Sequence, residues 1–259
     1  MLPLRFALDL SHFAPGLRKS LPAAAALGLQ AVQLDARGEI TPALSTTALR
    51  EVRKLLEDLN LRVSALTYRT RRGYSEPERI EPRVEGTKAA LELAYALRAP
   101  VVINHLGPIP AETDSSRWKL LLDVLADLGT FAQRTGAMLA AETGGQNAAD
   151  LTRLLATLPE GTLAVAFDPG SLARHGFPVT EAVEALAPAI AAVRLTDASR
   201  GSGYQPGEYV PLGRGCVDLP AVLSILERAD YRGYLTLGAQ NSNDPAADVR
   251  QALDYLRRL

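Results

Sequence analysis

The chain has 259 residues, 47% hydrophobic and only 5% aromatic, with 28 basic side chains against 29 acidic ones and a formal charge of −1. That length can bury one large core, and the even charge leaves no global field to draw in nucleic acid or anionic lipid. The single cysteine, Cys216, excludes an internal disulfide and a cysteine zinc site. The N-terminal MLPLRFALDL carries Arg5 and Asp9 instead of a long apolar run. No stretch approaches the roughly 18 apolar residues of a membrane span. The expectation is a soluble cytoplasmic protein without membrane or nucleic-acid partners.

Short apolar runs alternate with amphipathic ones along the whole chain. A strand at Leu4–Leu10 precedes a helix at Leu17–Leu27; Ala31–Asp35 precedes Thr47–Leu59, where Leu49, Val52, Leu55, Leu56 and Leu59 follow a 3.6-residue period. Arg62–Thr67 is followed by Arg83–Leu97, Val101–His105 by Arg117–Arg134, and Met138–Glu142 by Ala148–Leu158. Leu163–Asp168 precedes Val179–Leu186, Ala192–Thr196 precedes Leu219–Ala229, and Tyr234–Leu237 precedes Pro245–Leu259. Ser115-Ser116, Asn147 and Asp218 mark helix starts, and Gly28, Gly136 and Gly161 follow helix ends. Eight strands alternating with eight helices predict a single (β/α)8 TIM barrel spanning residues 1–259. A doubly wound open sheet would place a glycine-rich phosphate turn after the first strand, and Ser11-His-Phe-Ala-Pro-Gly16 is no such turn.

Barrel strands alternate between helix-facing and inward-facing residues. If the large apolar side chains face the helices, then Ala7, Asp9, Ser11, Gln33, Asp35, Asn104, Glu142, Asp168, Arg194 and Thr196 point inward, with Gly238 and Gln240 at the last strand. This places a charged cluster near the C-terminal strand ends, where such barrels carry their active sites. Glu142 and Asp168 end adjacent strands and are the candidate catalytic carboxylates. Arg194, one strand on, either neutralises them or binds substrate. Arg69, Arg71 and Arg72 crowd the loop after the third strand, as a solvated charge run or as a phosphate or carboxylate clamp. His12 and His105 follow strands 1 and 4, with structural and substrate-contacting roles both open. Asp197 reads as a loop or helix cap, and Cys216 as inert. The long glycine-containing loop Ser199–Arg214, which carries Arg200, is a candidate lid.

The order Glu142, Asp168-Pro-Gly170 and Arg194-Leu-Thr-Asp197, followed by Pro211-Leu-Gly-Arg-Gly-Cys-Val-Asp218 and Tyr231-Arg-Gly-Tyr-Leu-Thr-Leu237, resembles the sugar phosphate isomerase/epimerase superfamily of xylose-isomerase-like TIM barrels. Gly28-Leu-Gln-Ala-Val-Gln33-Leu matches that family's second strand, so the resemblance runs along essentially the whole chain. It implies a divalent cation (manganese, cobalt or magnesium) held by Glu, Asp, His and Glu. The first two match Glu142 and Asp168. The His falls on Arg194, the last Glu on Gly238, a substrate-contacting His on Ser171 and a strand-2 Glu on Gln33. Arg200 matches an arginine that holds substrate hydroxyls.

Half of that metal shell is replaced, and two carboxylates alone rarely hold a catalytic divalent cation against water. No cofactor is therefore expected, with a cation on Glu142 and Asp168 as the alternative. Arg194 is expected to reach both carboxylates in the cation's stead. The resulting reading is a sugar or sugar phosphate isomerase/epimerase-like protein with a metal-independent site. In it Glu142 and Asp168 are catalytic, and Arg194, Arg200, Arg69, Arg72 and His105 bind a small sugar-like ligand. The alternative is a non-catalytic sugar- or sugar-acid-binding protein. A homo-oligomer is allowed by either, and an endonuclease-like role is disfavoured by the charge balance.

Overall fold

A computed structural model describes residues 4–13, 16–38, 40–201, 205–240 and 242–259. The first half runs β1 (Phe6–Asp9), α1 (Leu17–Ala26), β2 (Ala31–Asp35), α2 (Thr46–Asp58), β3 (Arg62–Thr67), α3 (Ile80–Leu97), β4 (Val101–Asn104) and α4 (Ser116–Thr135). The second half runs β5 (Met138–Glu142), α5 (Ala148–Thr157), β6 (Ala164–Phe167), α6 (Pro169–Arg174), α7 (Val179–Leu186) and β7 (Ile190–Leu195). It ends with β8 (Asp197–Ala198), β9 (Tyr209–Val210), α8 (Leu219–Arg228), β10 (Leu235–Leu237) and α9 (Pro245–Leu256). Strands β1 to β7 and β10 close into one parallel barrel in the order β1-β10-β7-β6-β5-β4-β3-β2, as the alternation of elements predicts. The two-residue strands β8 and β9 pair antiparallel outside it. Among the described residues no helix is long and apolar enough to cross a membrane.

Local sequence explains where the helices begin. Ser45, Ser115, Asn147, Asp168, Asp218 and Asp244 each accept a hydrogen bond from the backbone N–H three residues on, which satisfies a donor the helix itself leaves free. The short α6, like the β8–β9 pair, is not anticipated by the alternation. Asp168 caps it and Pro169 opens it, so the Asp-Pro pair that ends β6 also starts a helix.

Two apolar layers result. Outward strand residues such as Leu8, Leu34, Leu66, Val102, Phe167 and Leu237 pack under the helices, where burying each contributes roughly 2 kcal/mol. The barrel interior is filled lower down by five alanines, Ala65, Ala140, Ala164, Ala166 and Ala192, with the larger Val101 and Ile103 from β4. Along β5, β6 and β7 the same inward parity then delivers Glu142, Asp168 and Arg194 at the C-terminal ends.

β4 departs from the expected orientation. Val101 and Ile103 face the interior, so Asn104 points away from it. Its amide nitrogen donates to Tyr74 Oη at 2.7 Å and to Thr87 Oγ1 at 3.2 Å, and its oxygen accepts from Thr70 N at 2.9 Å. A buried amide needs several partners, and α3 with the β3–α3 loop supplies them. Asp35 also stays out of the cluster: it is exposed at the rim and accepts from Arg37 N at 2.9 Å.

Candidate functional site

Three buried or half-buried carboxylates and two guanidiniums meet at the C-terminal mouth of the barrel. Arg194, on β7, is the hub. Its Nη2 lies 3.0 Å from Asp9 Oδ2, and its Nη1 lies 3.7 Å from Asp168 Oδ2 and 3.9 Å from Glu142 Oε1. Gln240, turned so that its carbonyl oxygen faces the guanidinium, accepts from Nη2 at 2.5 Å and Nε at 3.2 Å. His12 Nε2 sits 3.0 Å from Nη2, an acceptor position that requires the neutral imidazole. Burial favours that form, and Arg194 adds to the effect against the opposing pull of Asp9, so the His12 pKa is lowered. Burial alone would loosen the proton on Arg194, but Asp9 and Asp168 more than offset this and raise its pKa.

Glu142 is held from the other side. Arg69 clamps it bidentately, Nε to Oε2 at 2.8 Å and Nη2 to Oε1 at 2.6 Å, the strongest geometry open to such a pair. This hydrogen bonding is the first cause of a raised Arg69 pKa. The loop that brings Arg69 there turns at Gly73, with φ at +66°, where the backbone runs so close to Leu106 that a β-carbon would overlap its carbonyl.

Asp168 is the under-satisfied member. Its Oδ1 accepts from Ser171 N at 2.8 Å and from the Thr196 hydroxyl. Its Oδ2 is buried and accepts no hydrogen bond. Burial raises the Asp168 pKa despite the opposing pull of Arg194 and of the hydrogen bonds from Thr196 and Ser171. The charge balance agrees: Asp9, Glu142 and Asp168 share Arg69 and Arg194, and the nearest cation to Asp168 is the most distant of the three, Arg194 at 3.7 Å, against 3.0 Å for Asp9 and 2.6 Å between Glu142 and Arg69.

Asp197, next along from Thr196, accepts backbone N–H groups from Ala198, Gly213, Gly215 and Val217 at 2.8 to 3.1 Å. It therefore shapes the loop that follows β9 and does not face the cluster. Tyr209 on β9 is a neighbour that the sequence does not single out. Burial and then the Asp168 charge raise its pKa, and the Arg174 guanidinium lies 4.5 Å over its ring.

The structure thus brings together Glu142, Asp168, Arg194 and Arg69, and adds Asp9, His12 and Gln240. It does not bring the other expected ligand contacts to them. Arg72 is ion-paired with Glu78 on the surface. Arg200 lines a separate hollow with Phe177, Glu181, Cys216 and Asp218, and residues 202–204 of the candidate lid lie outside the described residues. His105 holds Thr70 Oγ1 through its carbonyl at 2.7 Å, and its ring lies beside Gly145. Only about 10 Å³ of space remains among Gln33, Thr67, Arg69, Glu142, Asp168 and Arg194, room for about one water.

The residues do not fit the divalent cation that the resemblance implies. Among the described residues no three His, Cys, Asp or Glu side chains converge on a common point. Glu142 is occupied by Arg69, and the Arg194 guanidinium lies within 4 Å of both carboxylates.

An eight-stranded parallel barrel with acidic and basic groups at its C-terminal strand ends defines a class in which chemistry is carried on the strand termini. The chain belongs to the xylose isomerase-like TIM barrel family, whose sequence profile matches residues 21–259. It is 30% identical over 93 residues to an Escherichia coli K12 protein named "Putative L-ribulose-5-phosphate 3-epimerase", a match covering 34% of this chain and 32% of the relative. It is 26% identical over 150 residues to the inosose dehydratase of Clostridium beijerinckii, covering 51% of this chain and 50% of that protein. The matched segments thus span about a third and a half of these relatives' length, respectively. The crystal structure of a xylose isomerase domain protein from Planctomyces limnophilus superposes with a TM-score of 0.87 over 99% of this chain and 96% of that one, at 24% identity.

Proposed function

We propose that the protein is a carbohydrate isomerase or epimerase whose site works without a metal ion, Arg194 standing where the family's cation would be. In this reading Asp168 removes a proton from the carbon beside a substrate carbonyl. The electrons of that C–H bond move into an enediolate, whose oxygen Arg194 stabilises. The proton then returns to the opposite face of the same carbon, or to the neighbouring carbon while that carbon's hydroxyl proton passes to the enediolate oxygen. A base in this role works best when its pKa approaches the working pH, and a fixed cation aimed at the developing oxyanion lowers the barrier further. The observation that carries the reading is Asp168 Oδ2, buried, free of hydrogen bonds and 3.7 Å from Arg194 Nη1. The relatives named for acting on a phosphorylated ketose and on a cyclic polyol ketone support a carbonyl-bearing carbohydrate as substrate. Substrate entry requires Arg69 to leave Glu142, which frees the second carboxylate for proton transfer.

The test is solvent exchange. With EDTA present, ketoses and ketose phosphates are incubated with the protein in D2O, and deuterium entering beside the carbonyl is followed by NMR. The proposal predicts exchange that EDTA leaves intact and that Asp168→Asn lowers at least about 100-fold. Exchange that needs added manganese would overturn it.

A second reading, a non-catalytic sugar- or sugar-acid-binding protein, is favoured by one observation: Arg69 and Arg194 are both ion-paired with the carboxylates of the cluster. Saturable binding of a sugar acid without any exchange would establish that reading instead.

A further inference from the structure

A further hollow lies at the opposite end of the barrel. It has a volume of about 670 Å³ and sits beneath the starts of β1, β3 and β10 and the last turns of α2 and α3, well within the size range of small-molecule sites. Five arginines line it, Arg5, Arg53, Arg62, Arg98 and Arg232, against one acidic residue, Glu57.

Three of these arginines have partners within the chain. Arg5 donates to Tyr234 Oη at 2.8 Å and lies 4.3 Å over its ring, Arg53 donates to the Ala96 carbonyl at 2.6 Å, and Arg232 pairs with Asp230. The side chains of Arg62 and Arg98 have no hydrogen bond, ion pair or ring contact among the described residues. Leu56, Leu61, Val63 and Leu97 add apolar surface beside this ring of charge.

Guanidinium forks match phosphate oxygens two at a time, and several held in one concavity neutralise a multiply charged anion better than one fork in open solvent. We propose that this hollow binds a small organic polyanion, a molecule carrying two or more phosphate groups on a partly apolar body. The proposal concerns a site separate from the carboxylate cluster and stands whether or not Asp168 is a base.

The experiment is isothermal titration of the whole protein at physiological salt with EDTA, using ATP and inorganic tripolyphosphate as probes. One comparison variant is Arg62→Gln/Arg98→Asn, in which asparagine suits the left-handed backbone of residue 98 (φ 56°). The other is Arg18→Gln/Arg79→Asn, which removes two exposed guanidiniums at the far end, by the starts of α1 and α3. The proposal predicts saturable binding of one equivalent. The first variant should weaken it at least about tenfold, as expected when two charge-assisted contacts are lost, and the second should leave it within about twofold. Absence of binding by either probe at millimolar concentration overturns it. So does equal weakening in both variants, because a diffuse surface field would then account for the attraction.

Discussion

At the C-terminal end of the barrel, Arg69 and Arg194 are both tied to carboxylates, and about 10 Å³ of space is left among them. At the N-terminal end, Arg62 and Arg98 have no acidic partner among the described residues and border a hollow of about 670 Å³. The same residue type therefore serves two purposes. Inside the barrel, guanidiniums compensate buried negative charge that water no longer solvates. At the rim of the hollow they stay hydrated and available. Structural cost should follow partnership and burial, not arginine as such.

The largest expected effect tests that difference directly. Arg194→Ala strips the nearest cation from Asp9 and Asp168 and should lower unfolding free energy by about 3–5 kcal/mol. Arg62→Gln should change it by less than about 0.5 kcal/mol. Denaturant titration reads both, and equal losses would break the comparison. Next, Arg194→His replaces the fixed charge with a third potential ligand beside Glu142 and Asp168. Manganese should stabilise this variant by about 2.7 kcal/mol at a hundredfold excess over its dissociation constant and leave the wild type unmoved in a thermal melt. Arg69→Met should cost about 1 kcal/mol, because the clamp on Glu142 is part-exposed. It should also open the carboxylates to ligand, so a thermal-shift screen should gain sugar-induced stabilisation.

Two smaller effects depend on pH. The folded-state pKa of Asp168 is raised, so the folded protein holds that proton more tightly than the unfolded chain does, and the carboxylate's penalty grows as pH rises through the folded value. Asp168→Asn should therefore gain stability relative to wild type toward neutral pH, with the gap closing on acidification toward the ordinary carboxylate range. His12 has the opposite sense. Its folded pKa lies below 6.5, so its contribution is present above that pH and is lost as pH falls through it. His12→Gln should flatten this acid-side decline in a pH series of unfolding curves, and an unchanged slope would remove His12 from the Arg194 network.

The parts of the site that could be read from sequence are those set by parity within one strand. In β5, β6 and β7 the inward positions alternate as Ala140 and Glu142, Ala166 and Asp168, Ala192 and Arg194, so small side chains below and charges above declare the face. In β4 both faces of Val-Val-Ile-Asn are apolar until Asn104, as expected of a strand covered on both sides, and the amide follows its partners on α3 and the β3–α3 loop. Pairings between elements distant in the chain were not legible. Arg69 and Glu142 are 73 residues apart. Asp9 meets Arg194 only because β1 and β7 flank β10 once the barrel closes. The arginine hollow was the least legible feature, since its residues come from three strand starts and two helix ends, and each alone reads as a solvated surface charge.

The claim that Arg194 takes the place of the family's cation is tested most directly by metal content. The purified protein would be dialysed against manganese, cobalt or magnesium, freed of excess ion and measured by elemental mass spectrometry. The account predicts no stoichiometric retention, because a fixed guanidinium already lies within 4 Å of Glu142 and Asp168. Near-stoichiometric metal that disappears in Glu142→Gln would contradict it.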